Sequence, residues 1–274
     1  MDQPSIAKTD SNPSRGDAQI EPATFFNKRI VVIIPSYNEE RFIGSVVLKL
    51  LRFPVTVIVV DDGSTDGTAS VADAAGAVIV HLPCNQGKAA ALNAGFQHAR
   101  ELNPDVIVII DADGQHLPEE LPRVVQPVLD GVADIAVGSR YLSIKNHVPA
   151  QRVFGHLLFK WLTSVASGEE ITDTQSGYRS FSPRAFKLID VRSPGFSVES
   201  EMQVLAHELN LRMVEVPISV QYTDPPKRSL IQQGWSVLNG VLKLTEQYHP
   251  LLFFGVTGFI LFIAGITWGF WVLE

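Results

Sequence analysis

The sequence of 274 residues contains a single cysteine, Cys84, so no disulfide can form within the chain. A metal centre built from several cysteines is excluded for the same reason, and we predict Cys84 to be a packed thiol without chemistry. Basic residues are outnumbered, with 22 Lys and Arg against 29 Asp and Glu, a net charge of −7. This deficit argues against a nucleic-acid-binding surface over the whole chain, so we expect no nucleic-acid partner. The phosphate loop of P-loop ATPases, GxxxxGK followed by Ser or Thr, is also absent.

Charge is missing altogether from Pro250–Leu273. An apolar helix of about 20 residues is long enough to span the hydrocarbon layer of a bilayer. Tyr248, Trp268 and Trp271 lie near the two ends of this stretch, where aromatic side chains favour the membrane interface. We therefore predict a transmembrane helix over 250–273, the alternative being a buried core helix. Basic residues precede it and only Glu274 follows, so the positive-inside rule predicts a membrane protein whose main domain is cytoplasmic.

The remaining chain divides by composition. Residues 1–27 are polar and contain Pro, Ser and Asp, which predicts a disordered tail and no signal peptide. Residues 28–229 are predicted to form one domain. Within it, 148–166 has an apolar helical face containing Trp and flanked by Arg and Lys, which favours a membrane-interface helix over an ordinary packed helix. Residues 230–249 are predicted to be an amphipathic juxtamembrane helix.

Short β-branched runs alternate with amphipathic stretches from residue 28 onward. The predicted strands are Ile30–Ile34, Val55–Val60, Ala77–Val80, Val106–Ile110 and Ile135–Val137, and the predicted helices span about 39–52, 66–75, 87–101 and 117–130. This alternation predicts an α/β fold of Rossmann-like type, with a mostly parallel sheet, buried strands and helices on both faces. Ligands of such folds bind at the carboxyl ends of the strands.

Acidic turns follow three of the predicted strands, and the turn after the fourth strand is the most informative. Asp111 and Asp113 are two residues apart, so in an extended segment both carboxylates can face one ion, and Gln115 continues that parity. Carboxylate and amide oxygens suit Mg²⁺ or Mn²⁺, which are often completed by substrate phosphates. A nucleoside diphosphate ligand is therefore expected, with Asp61 accepting a hydrogen bond from base or ribose and Tyr37 packing on the base. Ordinary turn chemistry is the alternative for any one turn alone.

Four further residues have competing interpretations. Lys88 opens a predicted helix, where it meets a phosphate or is a solvated lysine. His116 follows the acidic turn, but we do not assign it as a metal ligand. Glu199 and Glu201 begin another helix, and complementing its dipole is the favoured role.

Several motifs together carry a family resemblance. PSYNEE at 35–40, VDDGSTDGT at 60–68, NQGK at 85–88 and DADGQ at 111–115 resemble inverting family 2 glycosyltransferases. GSRY at 138–141 and DTQSGYR at 173–179 are similar to dolichyl-phosphate mannosyltransferase and its polyprenyl-phosphate relatives. The resemblance covers about residues 28–240.

The resemblance implies a GT-A fold and transfer of one sugar, with inversion, from a nucleotide sugar to dolichyl or polyprenyl phosphate at a bilayer. GDP-mannose is the favoured donor, followed by UDP-glucose or UDP-N-acetylglucosamine. By position, the nucleoside would be held by Pro35, Tyr37, Glu39, Val59 and Asp61. Asp111, Ala112 and Asp113 would meet the diphosphate and metal, with Gln115 as a metal ligand. Asp113, Arg140 and Arg152 carry the reaction, Arg140 on a donor or acceptor phosphate and Arg152 on the acceptor phosphate.

One segment departs from the family pattern. Thr223 stands where the family has an arginine near the donor phosphates, and Lys227 and Arg228 are assigned as its substitutes. Arg179 is assigned to substrate phosphate, with a structural role as the alternative. The Gln-x-x-Arg-Trp motif of processive synthases is absent, which favours a single transfer. Transfer to another lipid acceptor and a non-catalytic nucleotide-sugar-binding membrane protein remain the alternative functions.

Overall fold

The computed structural model describes residues 27–142, 171–191 and 198–221, together with 254, 255, 258, 259, 261–266 and 268. The strands are β1 Ile30–Ser36, β2 Val55–Asp61, β3 Val78–His81, β4 Val106–Ile109, β5 Ile135–Ser139, β6 Arg179–Phe181 and β7 Met213–Pro217. The helices that flank them are α1 Glu40–Leu50, α2 Thr68–Ala74, α3 Lys88–Glu101, α4 Leu121–Leu129, α5 Pro183–Leu188 and α6 Val198–Glu208. A 3₁₀ turn, Pro118–Glu120, leads into α4.

The seven strands form one sheet in the order β3-β2-β1-β4-β6-β5-β7. Strand β6 runs antiparallel to both of its neighbours, and the other pairings are parallel. After β1 the chain builds outward through β2 and β3, then returns to place β4 on the other side of β1. The strand order therefore reverses between β1 and β4, and such a switch point opens a crevice at the carboxyl ends of the strands.

Two apolar layers cover the two faces of the sheet. Alternate residues of β1 belong to opposite layers, Val32 and Ile34 to one and Val31 and Ile33 to the other. The first layer includes buried residues of α1, α2 and α4, and the second includes those of α3, α5 and α6. The prediction of a mostly parallel sheet with helices on both faces is confirmed.

The five predicted strands and the four predicted helices are all present, with ends that differ by at most two residues except at the start of α4, which lies four residues later than predicted. Strand β3 departs from the expectation of burial on both faces, because it forms an edge of the sheet and Val78 is 42% exposed. Strands β6 and β7 were not predicted. The first has only three residues and the second carries Glu215 at its centre, so neither gives a clear apolar run.

Several predicted segments lie wholly or mostly outside the residues described. These are residues 1–26 of the tail, the predicted helices 148–166 and 230–249, and the side chains of Arg152, Thr223, Lys227 and Arg228. Of the predicted span 250–273, the described residues are helical, and Phe259, Phe262 and Trp268 are each more than 60% exposed. Among all described residues, no helix is both long and apolar enough to cross a bilayer.

The close approach of α3 to the sheet depends on Gly95. A Cβ at this position would lie 2.5 Å from Ile33 Cγ2 and 3.1 Å from Val60 Cγ2, and both of these side chains are fully buried. We expect Gly95→Ala to lower the free energy of unfolding by about 1 kcal/mol or more, because overpacking costs about 1–3 kcal/mol and exceeds the helix-propensity gain of up to about 1 kcal/mol.

Urea unfolding followed by circular dichroism measures this effect. Gly44→Ala in α1 is the matched control, because the Cβ there would meet only Val71, which is 37% exposed and has room to move. Equal or greater stability of Gly95→Ala would contradict this account of the packing.

Candidate active site

A cavity of about 240 Å³ opens at the carboxyl ends of the strands, at the reversal between β1 and β4. Its lining comes from the ends of β1, β2 and β4 and from the start of α3: Pro35, Ser36, Tyr37, Glu39, Asp62, Lys88, Ala91, Asp111, Ala112 and Asp113. Seven of the predicted ligand-contacting residues are therefore brought together here, namely Pro35, Tyr37, Glu39, Lys88, Asp111, Ala112 and Asp113. The lining is rich in carboxylates, which suits a cationic or metal-bridged ligand.

The loops after β1 and β2 are tied to each other by side chains. Asn38 adopts a positive φ of 54°, and its Oδ1 accepts a hydrogen bond from the backbone N–H of Thr65 at 2.9 Å. Its own N–H donates to Ser64 Oγ at 3.0 Å. Glu40 Oε2 accepts the Gly67 N–H at 2.7 Å. These contacts fix the loop that carries Tyr37, whose side chain is 43% exposed at the mouth of the cavity.

The two aspartates at the end of β2, Asp61 and Asp62, make different contacts. Asp62, which the sequence did not single out, lines the cavity, and its carboxylate accepts the N–H groups of Gln86 at 2.7 Å and Gly87 at 2.8 Å. It thereby holds the turn that starts α3. Asp61 accepts the Ser64 N–H at 3.1 Å and lies beside the cavity rather than in its lining. Val59 is fully buried in the core, so its predicted contact with a nucleoside does not come from its side chain.

Cys84 lies in the same turn before α3 and is exposed, so the prediction of a packed thiol was wrong. The turn approaches the Gly63 backbone so closely that a Cβ on Gly63 would overlap the main chain of Cys84. The main chain of this residue therefore packs against Gly63, although the residue as a whole is exposed.

The turn after β4 presents both predicted metal-binding carboxylates. Asp113 Oδ1 accepts the Gln115 N–H at 3.0 Å across Gly114, whose φ of 71° favours glycine. Burial, together with the neighbouring charge of Asp111, raises the pKa of Asp113 to about 6. The protein therefore holds two carboxylates close together at some electrostatic cost, and a divalent cation would offset that cost.

Lys88 reaches from the start of α3 to two carboxylates. Its Nζ lies 2.5 Å from Asp111 Oδ1 and 2.6 Å from Glu199 Oε1 of α6. Burial alone would lower the pKa of Lys88, but the two carboxylates outweigh it and raise that pKa. Burial would likewise raise the pKa of Asp111, and the Lys88 charge lowers it instead. Lys88 is thus an ion-paired residue at the cavity wall rather than a solvated lysine.

His116 packs behind the acidic turn rather than facing the cavity. Its side chain is 5% exposed, its Nε2 lies 3.7 Å from Asp111 Oδ2, and its ring centroid is 5.6 Å from that of Tyr178. Burial lowers the pKa of His116 to about 4, so the ring is neutral at neutral pH.

Within the described ranges, no group of three His, Cys, Asp or Glu side chains is arranged to hold a metal ion. A divalent cation here would rest on Asp111 and Asp113, with the Gln115 amide and oxygens of a bound ligand completing its coordination. This donor set contains only hard oxygen atoms, and therefore fits Mg²⁺ or Mn²⁺ rather than a softer metal.

Arg140, after β5, forms a bidentate ion pair with Asp173. Its Nε and Nη2 donate to the two Asp173 oxygens at 2.7 and 2.8 Å, and its backbone N–H donates to Oδ2 at 2.9 Å. Asp173 is fully buried, while the Arg140 side chain is 19% exposed. Glu215 of β7 accepts the N–H groups of Thr172 and Asp173, both at 2.8 Å. Glu215 thus holds the main chain at Asp173, and Asp173 in turn fixes the orientation of the Arg140 side chain.

The structure favours the structural alternative for Arg179. Its side chain is fully buried, and the guanidinium donates to the carbonyl oxygens of Ser176, Glu199 and Thr174 at 2.9, 2.8 and 3.1 Å. These bonds fasten the segment before β6 to the first turn of α6. Arg179, like Arg140 and Gln115, is not among the residues that line the cavity, but only Arg179 has its guanidinium fully buried.

The pKa of Asp113 leads to a prediction for metal binding. A carboxyl group with a pKa of about 6 keeps its proton below that pH, so an incoming cation must displace the proton. We expect the apparent Mn²⁺ affinity of the free protein to fall by up to about tenfold per pH unit below about pH 6. Calorimetric titrations between about pH 5 and 7 measure it. An affinity that stays constant over that range would contradict the raised pKa.

Comparison with known families gives a match over most of the described domain. Residues 31–189 match the model described as Glycosyl transferase family 2. The match begins in β1 and extends beyond α5, so it includes every described residue that lines the cavity.

Similar curated proteins match more than two thirds of this chain and more than four fifths of their own length. The UDP-N-acetylglucosamine–dolichyl-phosphate N-acetylglucosaminyltransferase of Methanococcus voltae is 32% identical, over 72% of this chain and 88% of that protein. The undecaprenyl-phosphate mannosyltransferase of Micrococcus luteus is 35% identical, over 70% and 83%. The polyprenol monophosphomannose synthase of Mycolicibacterium smegmatis is 34% identical, over 82% and 89%.

Similarity to solved structures confirms the predicted GT-A fold. Glucosyl-3-phosphoglycerate synthase from Mycobacterium tuberculosis, crystallised with Mn²⁺, UDP and glucosyl-3-phosphoglycerate, matches with a TM-score of 0.65 at 21% identity, over 88% of this chain and 86% of that one. The same protein with Mg²⁺ and UDP matches with a TM-score of 0.61 at 19% identity, over 86% and 85%. The Mn²⁺, the Mg²⁺ and the UDP are components of those synthase crystals.

Proposed function

The chain belongs to glycosyl transferase family 2, and from that membership we propose that it transfers one sugar from a nucleotide sugar to dolichyl or polyprenyl phosphate, with inversion at the anomeric carbon. Three relatives named for polyprenyl- or dolichyl-phosphate transfer, each matched over more than four fifths of its length, support this acceptor class. GDP-mannose is the favoured donor, ahead of UDP-glucose and UDP-N-acetylglucosamine.

The observation that carries the proposal is the cavity at the switch point of the sheet. It combines a half-exposed aromatic ring, Tyr37, with the carboxylates of Asp111 and Asp113. A nucleoside has an apolar face and a diphosphate has oxygens that share a cation with carboxylates. The nucleoside and the diphosphate of a nucleotide sugar thus each find a matching surface.

A divalent cation, when bound, would offset the charge of the diphosphate and stabilise the departing nucleotide. Asp111, Asp113 and Gln115 would hold it. Asp62 contributes by fixing the turn before α3, so that the cavity wall is in place before the donor arrives. The protein's role at this end is positioning and electrostatic stabilisation.

The acceptor requires no general base. The second pKa of a phosphate monoester is about 6, so a lipid phosphate is already anionic at neutral pH and can attack the anomeric carbon directly. The obstacle is the approach of two anions, which arginine overcomes well because its planar guanidinium is always charged. Arg140 is assigned to this task with its orientation set by Asp173, and Arg152 is assigned to the acceptor phosphate.

We also propose that the chain is anchored in a membrane, with the catalytic domain on the cytoplasmic side. The uncharged stretch 250–273 and the lipid nature of the acceptor support this arrangement. An active site next to the bilayer would receive a long polyprenyl chain without extracting it into water. Such extraction would cost about 0.8 kcal/mol for each methylene group exposed to water.

A donor-by-acceptor assay tests the function. The full chain in detergent with Mn²⁺ or Mg²⁺ is given labelled GDP-mannose, UDP-glucose or UDP-N-acetylglucosamine, with and without dolichyl phosphate. Label that enters the organic phase only with acceptor, from one donor, is the expected result. Donor binding without acceptor-dependent label would contradict it, and would favour another lipid acceptor or a binding protein.

A further inference from the structure

The ion-paired cluster of Lys88, Asp111 and Glu199 extends beyond the cavity lining, and Glu199 is the member outside that lining. Glu199 lies outside the cavity lining, its side chain is 9% exposed, and its Oε1 lies 2.6 Å from Lys88 Nζ. The same ammonium lies 2.5 Å from Asp111 Oδ1. One positive charge is thus shared between a carboxylate that faces the cavity and one that does not.

Glu199 is held in place from its own main chain. Its carbonyl oxygen accepts a hydrogen bond at 2.8 Å from Arg179, which is fully buried. Because Arg179 also bonds the carbonyls of Ser176 and Thr174, the first turn of α6 is fixed against the segment before β6. The Glu199 carboxylate therefore has a fixed position from which it directs Lys88.

We propose that Glu199 is a positioning residue that acts through Lys88 to keep Asp111 negative enough to bind a divalent cation. This inference rests on the proposed metal-dependent function and adds a residue to its machinery. Without Glu199, the whole ammonium charge would be directed at Asp111 and would compete with the cation for the same carboxylate. Outer partners that orient a metal-binding group commonly alter metal affinity strongly when they are replaced.

The charge of the cluster makes the proposal testable. Asp111, Lys88 and Glu199 together carry one net negative charge, which Glu199→Gln reduces to zero while keeping the shape of the side chain. Adding Lys88→Met removes the ammonium as well, so the double variant returns to one net negative charge on Asp111. A purely structural role for Glu199 predicts the opposite trend, since the double variant disrupts the cluster further.

The experiment is titration of the full-length protein with Mn²⁺ alone, followed by calorimetry or by the Mn²⁺ paramagnetic resonance signal. We expect Glu199→Gln to weaken Mn²⁺ binding about tenfold or more, and Lys88→Met/Glu199→Gln to recover most of that loss. Glu208→Gln, an exposed carboxylate at the other end of α6, is the matched control and should bind as the parent does. Thermal unfolding of each variant verifies the fold.

Two results would overturn the proposal. One is Mn²⁺ binding by Glu199→Gln equal to that of Glu208→Gln. The other is a double variant that binds as weakly as Glu199→Gln, or more weakly. Because the titration uses metal and protein only, its outcome does not depend on sugar transfer, and a negative transfer assay would leave it standing.

Discussion

Replacing Asp113 by alanine is expected to reduce sugar transfer by about 10³-fold, the loss typical of removing one electrostatic stabiliser of a transition state. The corresponding increase in the activation free energy is about 4 kcal/mol. Of the two predicted metal-binding carboxylates that line the cavity, the Lys88 ammonium contacts Asp111 and leaves Asp113 for a cation. A cation would therefore depend on Asp113 more than on any other side chain described here.

The same substitution should leave stability intact. The raised pKa of Asp113 shows that the folded protein disfavours its charged form, because the group is buried and close to Asp111. Alanine removes that cost and loses one hydrogen bond from Gln115, worth about 1 kcal/mol. We expect the free energy of unfolding at neutral pH to stay within about 1 kcal/mol of the parent value.

Acceptor-dependent transfer and urea unfolding, measured on the same preparation, test the expected loss of activity and the expected unchanged stability. Asp73→Ala, an exposed carboxylate on α2, is the control for removing one negative charge and should change neither quantity. If Asp113→Ala kept more than a tenth of the parent activity, the assignment of Asp113 to the metal would fail.

The second large effect concerns Arg140 and Asp173. Arg140→Met leaves the fully buried Asp173 carboxylate without its bidentate partner, and breaking a buried ion pair from one side costs about 3–5 kcal/mol. We expect the free energy of unfolding to fall by about 3 kcal/mol. Transfer should also be lost, because Arg140 is assigned to a phosphate.

A double-mutant cycle separates these two roles. Asp173→Asn removes the buried charge, so in Arg140→Met/Asp173→Asn at least half of the lost stability should return, while transfer stays lost. Arg184→Met is the control for an exposed ion pair, since its side chain is 55% exposed, and it should change stability by at most about 1 kcal/mol. Additive losses in the cycle would show that the two side chains do not act as a unit, and recovered transfer would remove Arg140 from the reaction.

The first half of the sheet was predictable because its signals are local. Strands β1, β2 and β4 are apolar, β-branched runs that each end in a polar turn, and the helices between them have the spacing of parallel crossovers. The second half was not, because β6 is a three-residue strand whose position between β4 and β5 depends on long-range pairing. No pattern within three residues specifies such a partner.

The same distinction applies to the site. Asp111 and Asp113 were found because alternation along an extended segment is visible in the sequence. Lys88 and Glu199 meet only after the chain has passed through β4, β5 and β6, so their ion pair has no local signature. The sequence places Asp62 only in the acidic turn after β2. Its contacts with Gln86 and Gly87 join that turn to the one before α3.

The antiparallel direction of β6 has a consequence for how the fold tolerates change. Strands β5 and β6 are antiparallel neighbours, so the chain leaves the sheet after Ser139 and re-enters it at Arg179 on the same side. The cavity also opens at that side, at the carboxyl ends of the parallel strands. The entropy needed to close such a connection grows only slowly with its length. Insertions and deletions between residues 143 and 170, outside the Arg140–Asp173 ion pair and the contacts of Arg179, are therefore expected to leave strand register undisturbed. This connection gives natural variation, or a protein engineer, a place to change the length of chain beside the cavity while the strands stay paired.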